Sequence, residues 1–157
     1  MRKSVLVVGS LLLFVPALLA QNKIDSKWHC PKTDPAAKLN VGDVPDHFYA
    51  IQQGECTATA SDKGFEEKSA AFTEFDEGWK NSTSARGRFN VTMANGDKVF
   101  YSYAHTIADG KSSDDSWKIV SGTGKNKGIK GTGKCMGTIN QDGSSDWQCT
   151  GTYTRGT

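Results

Sequence analysis

Apolar and polar residues alternate with a period of two through most of the chain after residue 46. This period is typical of β-strands that bury one face. Strand patterns cover 47–60 and 67–76, two strands flank Asn95-Gly96 within 84–108, and three more lie between 117 and 153. Hardly any segment has helical spacing. Because short turns join successive strands, the pattern predicts an all-β fold, a single antiparallel up-and-down β-barrel of seven or eight strands.

The last hairpin has a predictable register. Residues 140–144, NQDGS, suit a three-residue loop with Gly143 in the left-handed position. In that register Asn140 faces Ser144, and counting outwards places Cys135 directly opposite Cys149, within reach of a disulfide. A two-residue Asp-Gly loop would put the two cysteines on opposite faces. The cysteines therefore favour the three-residue loop.

The other two of the four cysteines are Cys30 and Cys56. If Cys135 bonds Cys149, these two must bond each other. A zinc site built from all four is the alternative, but no C-x-x-C pair exists to support it. An even cysteine count after an apolar leader favours two disulfides in an oxidising compartment.

Large rings face glycines across the same hairpin. The register pairs Trp147 with Gly137 and Tyr153 with Gly131, a pattern that fixes strand register. It also sets glycines 133 and 151 opposite each other, which leaves a gap that a neighbouring side chain could fill.

The Asn95-Gly96 pair is the strongest short hairpin signal in the chain. With only these two residues in the loop, Arg86 falls opposite His105 and Arg88 opposite Tyr103. One face is then the core, and the other is a cationic and aromatic surface. This surface is the main candidate for ligand binding or an interface, and its residues are Arg86, Arg88, Tyr101, Tyr103 and His105. Arginine beside tyrosine binds carboxylates, stacks on rings or makes oligomer contacts. Ordinary outward-facing residues are the simpler interpretation.

The segment IVSGTGKNKGIKGTGKCMG resembles the strand–corner–strand of the allene oxide cyclase and dirigent barrel superfamily, and of uncharacterised secreted bacterial proteins with that barrel. The matching residues are Gly122, Thr123, Gly124, Lys125, Gly128, Gly131 and Gly133. The resemblance implies the barrel, allows cyclase or isomerase chemistry on an apolar substrate, and raises the expectation of a homo-oligomer, since such barrels are often trimers. No catalytic residue of those families matches a motif here, so catalytic residues stay unknown.

Residues 1–20 predict a secretory signal peptide, with Arg2 and Lys3 before an apolar run. Residues 21–45 are interpreted as an irregular strap tied by Cys30, and residues 46–157 as the barrel domain. Without Arg2 and Lys3, 17 of the 19 Lys and Arg remain against 17 Asp and Glu. A near-neutral mature chain favours neither nucleic acid nor an anionic membrane surface as partner. The apolar run is too short for a stable membrane insertion, and the expected location is secreted or periplasmic.

Candidate chemistry is sparse. Glu74 and Asp76 share one strand face, as an acid/base pair or, more simply, a solvated edge. The lysines among the glycines of 121–134 fit no phosphate-binding motif and indicate a solvated rim. The three histidines are far apart in sequence, so no metal site is predicted and no cofactor is expected.

Three hypotheses follow for function. The first is a barrel that binds a small apolar or aromatic molecule. The second is an enzyme of cyclase or isomerase type, with Arg86, Tyr103, His105 and Glu74 as candidates. The third is a structural barrel whose exterior makes the contacts. The binding barrel is preferred. It predicts an interior cavity, which a structural barrel would lack, and a buried ionisable group with a shifted pKa in that cavity would favour the enzyme.

Overall fold

The computed structural model describes residues 21–109 and 111–156, so the predicted signal peptide lies outside the described residues. Within these ranges the chain forms nine strands and one short 3-10 turn at Gly124–Asn126. The strands are β1 Asn22–Cys30, β2 Ala37–Asn40, β3 Phe48–Ala60, β4 Glu67–Trp79, β5 Ser82–Met93, β6 Lys98–Ala108, β7 Lys111–Gly122, β8 Lys130–Ile139 and β9 Ser145–Thr154.

The strands form one antiparallel sheet that closes on itself. Each strand from β3 to β9 pairs with the next along the chain, β9 pairs with β1, and β1 pairs with the C-terminal part of β3. Eight strands therefore make a closed barrel. The short β2 pairs with the N-terminal part of β3 and is an extra strand. The predicted all-β, up-and-down barrel is confirmed.

The segment interpreted as an irregular strap is largely regular. Residues Asn22–Cys30 form a full barrel strand, paired along its whole length with β9. Their burial alternates residue by residue, with Ile24, Ser26, Trp28 and Cys30 inward. The prediction of irregular structure was wrong here because a polar residue, Ser26, occupies an inward position and interrupts the apolar alternation. The segment between β1 and β2 remains irregular.

Both predicted disulfides are present, Cys30–Cys56 and Cys135–Cys149. Cys135 lies directly opposite Cys149 in the β8–β9 register, which confirms the three-residue loop. The indole of Trp117 from β7 occupies the gap above the facing glycines 133 and 151. Two disulfides are typical of an oxidising, non-cytoplasmic compartment.

The register predicted for the β5–β6 hairpin was wrong by one residue. Arg86 pairs with Ala104, and His105 pairs with Ala85. The loop has three residues, since the Met93 N–H donates to the Asp97 carbonyl at 2.8 Å, and Gly96 takes a left-handed φ of 86°. A one-residue shift moves every side chain of one strand to the other face of the sheet. The predicted cationic and aromatic surface is therefore divided between the two faces.

One end of the barrel is filled by side chains. Phe65, in the loop between β3 and β4, is 2% exposed and packs on Tyr153 with 4.6 Å between ring centroids. Val91, Val99 and Ile129 are equally buried in the same core. Tight packing at this end leaves the free interior space towards the other end, where β8 turns into β9.

Candidate functional site

The barrel encloses a cavity of about 300 Å³. This volume is at the low end of the range for small-molecule sites. All four cysteines line the cavity, so both disulfides form part of its wall. Its aromatic lining comes from six strands and consists of Trp28, Phe72, Phe89, Tyr101, Tyr103, Trp117 and Trp147.

Glycines on neighbouring strands make room for these rings. A Cβ at Gly137 would clash with the Trp147 ring, and a Cβ at Gly87 would lie 2.7 Å from the Tyr103 hydroxyl oxygen. Such contacts are closer than van der Waals radii allow. The two rings therefore need glycine at these positions in order to pack against the neighbouring strand.

The rings form a continuous wall near the middle of the barrel. Tyr103 stacks on His105 at 5.7 Å between centroids with 15° between planes, and His105 meets Trp147 at 5.1 Å. Phe89 meets Tyr103 edge-to-face at 6.4 Å and Trp28 edge-to-face at 4.9 Å. These are favourable aromatic geometries, and they give the cavity rigid, polarisable walls.

Three carboxyl groups lie in this apolar space. Burial raises the pKa of Glu67, Glu74 and Asp115 to about 7 in each case. For Glu74 the neighbouring Asp76 and, less strongly, Asp115 also raise the pKa, while a hydrogen bond lowers it. Near neutral pH these groups therefore exchange between a protonated and an ionised form at small energetic cost.

Tyrosine hydroxyls hold two of the carboxyls in place. Tyr103 donates to Glu74 Oε2 at 2.8 Å, and Tyr101 donates to Glu67 Oε1 at 2.9 Å. Burial and these carboxylates raise the pKa of both tyrosines, so the phenols stay protonated and remain donors. Each tyrosine therefore holds one oxygen of its carboxyl, and the second oxygen makes no hydrogen bond to the tyrosine.

The expectation that Glu74 and Asp76 form a solvated edge was wrong. Glu74 lines the cavity, and Asp76 is 1% exposed behind it. Gln52 donates to Asp76 Oδ2 at 2.5 Å and itself lines the cavity. Burial is the main cause that raises the pKa of Asp76, and the Gln52 hydrogen bond lowers it.

Several buried polar atoms have no hydrogen-bond partner among the described residues. They include Asp115 Oδ2, Glu67 Oε2 and the Trp117 indole N–H, all on residues that line the cavity. Buried polar groups in native proteins are nearly always paired, with protein, water or ligand. These atoms are therefore open to a hydrogen bond with ordered water or with a bound molecule.

His105 is neutral in this environment, because burial lowers its pKa to about 4. It is 8% exposed and lies between the rings of Tyr103 and Trp147. A neutral imidazole has one donor and one acceptor nitrogen. It adds a hydrogen-bonding edge to the aromatic wall without adding charge.

The structure separates the five predicted site residues. Tyr101, Tyr103 and His105 line the cavity. Arg86 and Arg88 lie on the exterior, where the guanidinium of Arg86 is 5.4 Å from the ring centroid of Phe75. Neither arginine lines the interior cavity, but Arg86 and His105 both border a second pocket together with Phe75. An interface role for the two arginines stays a prediction.

Two carboxyls of the site were not predicted from the sequence. Glu67 precedes a bulge in β4, between positions 67 and 69, which turns its side chain inward. Asp115 lies in a polar run, DGKSSDDS, interpreted as a loop, but residues 111–116 of this run form the first half of β7. For Asp115 a signal existed: positions 115, 117 and 119 alternate into the strand core.

The mouth of the cavity lies where β1 leaves the barrel. Pro31 and Thr33, in the connection to β2, border it together with Gly143 of the β8–β9 loop. The Thr33 hydroxyl donates to Gln52 Oε1 at 3.1 Å, which fixes this connection against the inside of β3. Access to the cavity is therefore framed by a covalently anchored segment next to Cys30.

Other kinds of site were sought among residues 21–109 and 111–156. No group of three or more His, Cys, Asp or Glu within them is placed to hold a metal ion. In the same ranges no helix is long and apolar enough to cross a membrane.

Comparison with known proteins supports the fold alone. No family model matches the chain, and no curated protein matches it. A solved structure that is similar is a protein of unknown function from the DUF3224 family of Shewanella oneidensis MR-1, with a TM-score of 0.57 and 14% sequence identity. The match covers 88% of this chain and 99% of that chain. This level of identity establishes a shared barrel and leaves function to be argued from the site.

Proposed function

We propose that this protein is a secreted or periplasmic barrel that binds one small apolar or aromatic molecule in its interior. The observation that carries the proposal is the open cavity of about 300 Å³ with seven aromatic rings in its wall. A barrel with a purely structural role would be expected to fill its interior with side chains, as this one does only at the Phe65 end. The unpaired polar atoms on the wall supply orientation for a ligand.

A second candidate function is acid–base catalysis on an apolar substrate. Glu74 favours it, because a carboxyl with a pKa of about 7 in an apolar cavity is suited to transfer protons at neutral pH. Tyr103 holds this carboxyl at one oxygen, and neutral His105 lies beside Tyr103. A relationship to allene oxide cyclase and dirigent proteins is part of this proposal, supported by the barrel and its glycine-rich β7–β8 corner.

Binding is tested with N-phenyl-1-naphthylamine, a neutral aromatic probe whose fluorescence rises in apolar surroundings. We expect one molecule to bind per chain. Ile139 lines the cavity near its mouth, so Ile139→Trp should weaken probe binding by about tenfold or more. The neighbouring Thr138 is exposed on the same strand, so Thr138→Trp is the matched control and should bind like the wild type.

The outcomes separate the hypotheses. Absence of probe binding to the folded wild type, or equal weakening by both variants, would contradict an interior site. Mass spectrometry distinguishes a binding protein from an enzyme when a molecule is incubated with the protein and then recovered. A molecule recovered unchanged supports binding, and a rearranged molecule supports catalysis.

A further inference from the structure

The charges in the cavity are unbalanced. Its titratable groups are carboxyls, tyrosines and one histidine, which burial keeps neutral. Among the described residues that line the cavity there is no Lys and no Arg, and the two arginines of β5 lie outside the barrel. The groups that face one another across this space are Glu67, Glu74 and Asp76 on β4, Tyr101, Tyr103 and His105 on β6, and Asp115 on β7. Ionisation of any carboxyl here leaves negative charge with no cation of the protein to offset it.

Asp115 is the carboxyl of the cavity with the fewest compensating contacts. It is 5% exposed, it lines the cavity, and its Oδ2 has no hydrogen-bond partner among the described residues. A buried, unpaired carboxylate costs several kilocalories per mole unless a partner neutralises it. The adjacent Trp117 ring is fixed over its glycines, so it cannot turn to relieve Asp115.

The walls suit a cation as well as an apolar body. Rings of Trp, Tyr and Phe attract ammonium groups through their negative faces, most strongly where water is excluded. Trp147 and Tyr103 border the same cavity as Glu74 and Asp115. Carboxylates and ring faces together are the combination by which proteins select organic amines over neutral molecules of the same shape.

We infer that the ligand is an organic cation, an amine with an aromatic or apolar body, whose ammonium group lies between Glu74 and Asp115 against the rings of Tyr103 and Trp147. This inference rests on the proposed function and specifies its ligand class. The apolar body fills the aromatic part of the cavity, and the ammonium donates to the carboxylate oxygens that the protein leaves unpaired. An anionic ligand of the same size is excluded by repulsion from the same carboxylates.

The test compares two molecules that differ only in their head group, 2-phenylethylammonium and 2-phenylethanol, by isothermal titration calorimetry at neutral pH. We expect the wild type to bind the ammonium compound at least about tenfold more tightly than the alcohol. Asp115→Asn and Glu74→Gln should each remove about tenfold or more of the ammonium affinity and change the alcohol affinity by less than about twofold. Glu55 is exposed on the outside of β3, so Glu55→Gln is the control and should alter neither.

The design separates failure of this inference from failure of the proposed function. If N-phenyl-1-naphthylamine binds the wild type and the ammonium compound gains nothing over the alcohol, the cation site is refuted and the binding barrel stands. If the naphthylamine probe does not bind either, both are refuted. Retained probe binding shows that a variant is folded. If one of the two carboxyl variants does not fold, the other still tests the cation site.

Discussion

Glu67 gives the most quantitative prediction, because burial is the largest influence on its pKa, ahead of the opposing hydrogen bonds from Ser26 and Tyr101. It lies at the start of β4, 7% exposed, with Tyr101 donating to one oxygen and no partner for the other among the described residues. Burial raises its pKa from 4.5 to about 7. The substitution Glu67→Gln keeps the shape and the Tyr101 hydrogen bond and removes the titration.

The sign follows from proton binding in the two states. Below pH 4.5 both the folded and the unfolded protein hold the proton on Glu67. Between pH 4.5 and about 7 the unfolded chain has lost the proton while the folded protein retains it, so the free energy of unfolding falls as pH rises. Above pH 7 both states are ionised and this contribution is constant.

The magnitude follows from the same interval. At roughly 1.4 kcal/mol per pH unit, the rise from 4.5 to about 7 corresponds to about 3 kcal/mol. Glu74 and Asp115 act in the same direction, and His105, whose pKa is lowered, acts in the opposite one. These three groups are present in both proteins, so the difference between wild type and variant isolates Glu67.

The assay is urea denaturation of the wild type and Glu67→Gln at pH 4.5 and pH 8, with disulfides intact. We expect the stability of the variant relative to the wild type to increase by about 3 kcal/mol from the lower to the higher pH. The exposed Glu55→Gln should follow the wild type at both. Parallel pH profiles for wild type and Glu67→Gln would refute the conclusion that this carboxyl is buried in the folded protein.

Three further substitutions test the packing of the barrel. Replacing Cys135 and Cys149 together by serine opens a bond with a sequence separation of 14 and should lower the free energy of unfolding by about 3 kcal/mol in denaturant titrations. Gly133→Ala puts a Cβ against the Trp117 ring and the backbone, and calorimetry should show a loss of about 1–3 kcal/mol; an unchanged melting temperature would contradict the ring placement. Phe65→Ala should cost about 3–5 kcal/mol, measured in urea, because Phe65 fills the closed end of the barrel.

The sequence predicted the barrel and the C-terminal register well because independent signals agreed there. At the β8–β9 hairpin, the turn residues, two cysteines and two ring–glycine pairs all require the same pairing. At Asn95-Gly96 the sequence offers no cysteine pair or other independent signal that fixes the register. Asn-Gly suits a two-residue loop, yet the structure adds Ala94, and only Gly96 in this loop takes a positive φ.

Both local and non-local hydrogen bonds accompany the longer loop, and locally the Asp97 N–H donates to Asn95 Oδ1 at 3.0 Å. Asp97 accepts a hydrogen bond from the backbone N–H of Lys125 at 3.0 Å, which ties the end of this loop to the β7–β8 turn. A contact between residues far apart in sequence is not visible in a local turn pattern. The consequence of the longer loop is large, because the shift of one residue brings Tyr101, Tyr103 and His105 into the interior.

The site was only partly predictable for a related reason. Rules of hydropathy place carboxylates in solvent, and they misplaced Glu74 and Asp76 for that reason. A cavity breaks this rule, because a carboxyl on its wall is buried from bulk solvent and still borders open space. Glu67 and Asp115 were hidden further by a bulge and by an uninterrupted polar run.

Native mass spectrometry of the protein, secreted into an oxidising periplasm and purified without added ligand, is the decisive test of interior ligand binding. We expect one small molecule retained per chain, of a mass that matches an organic amine, and lost from Ile139→Trp but not from Thr138→Trp. A wild type that is free of ligand and also fails to bind N-phenyl-1-naphthylamine would contradict the account and indicate a barrel whose role lies on its exterior.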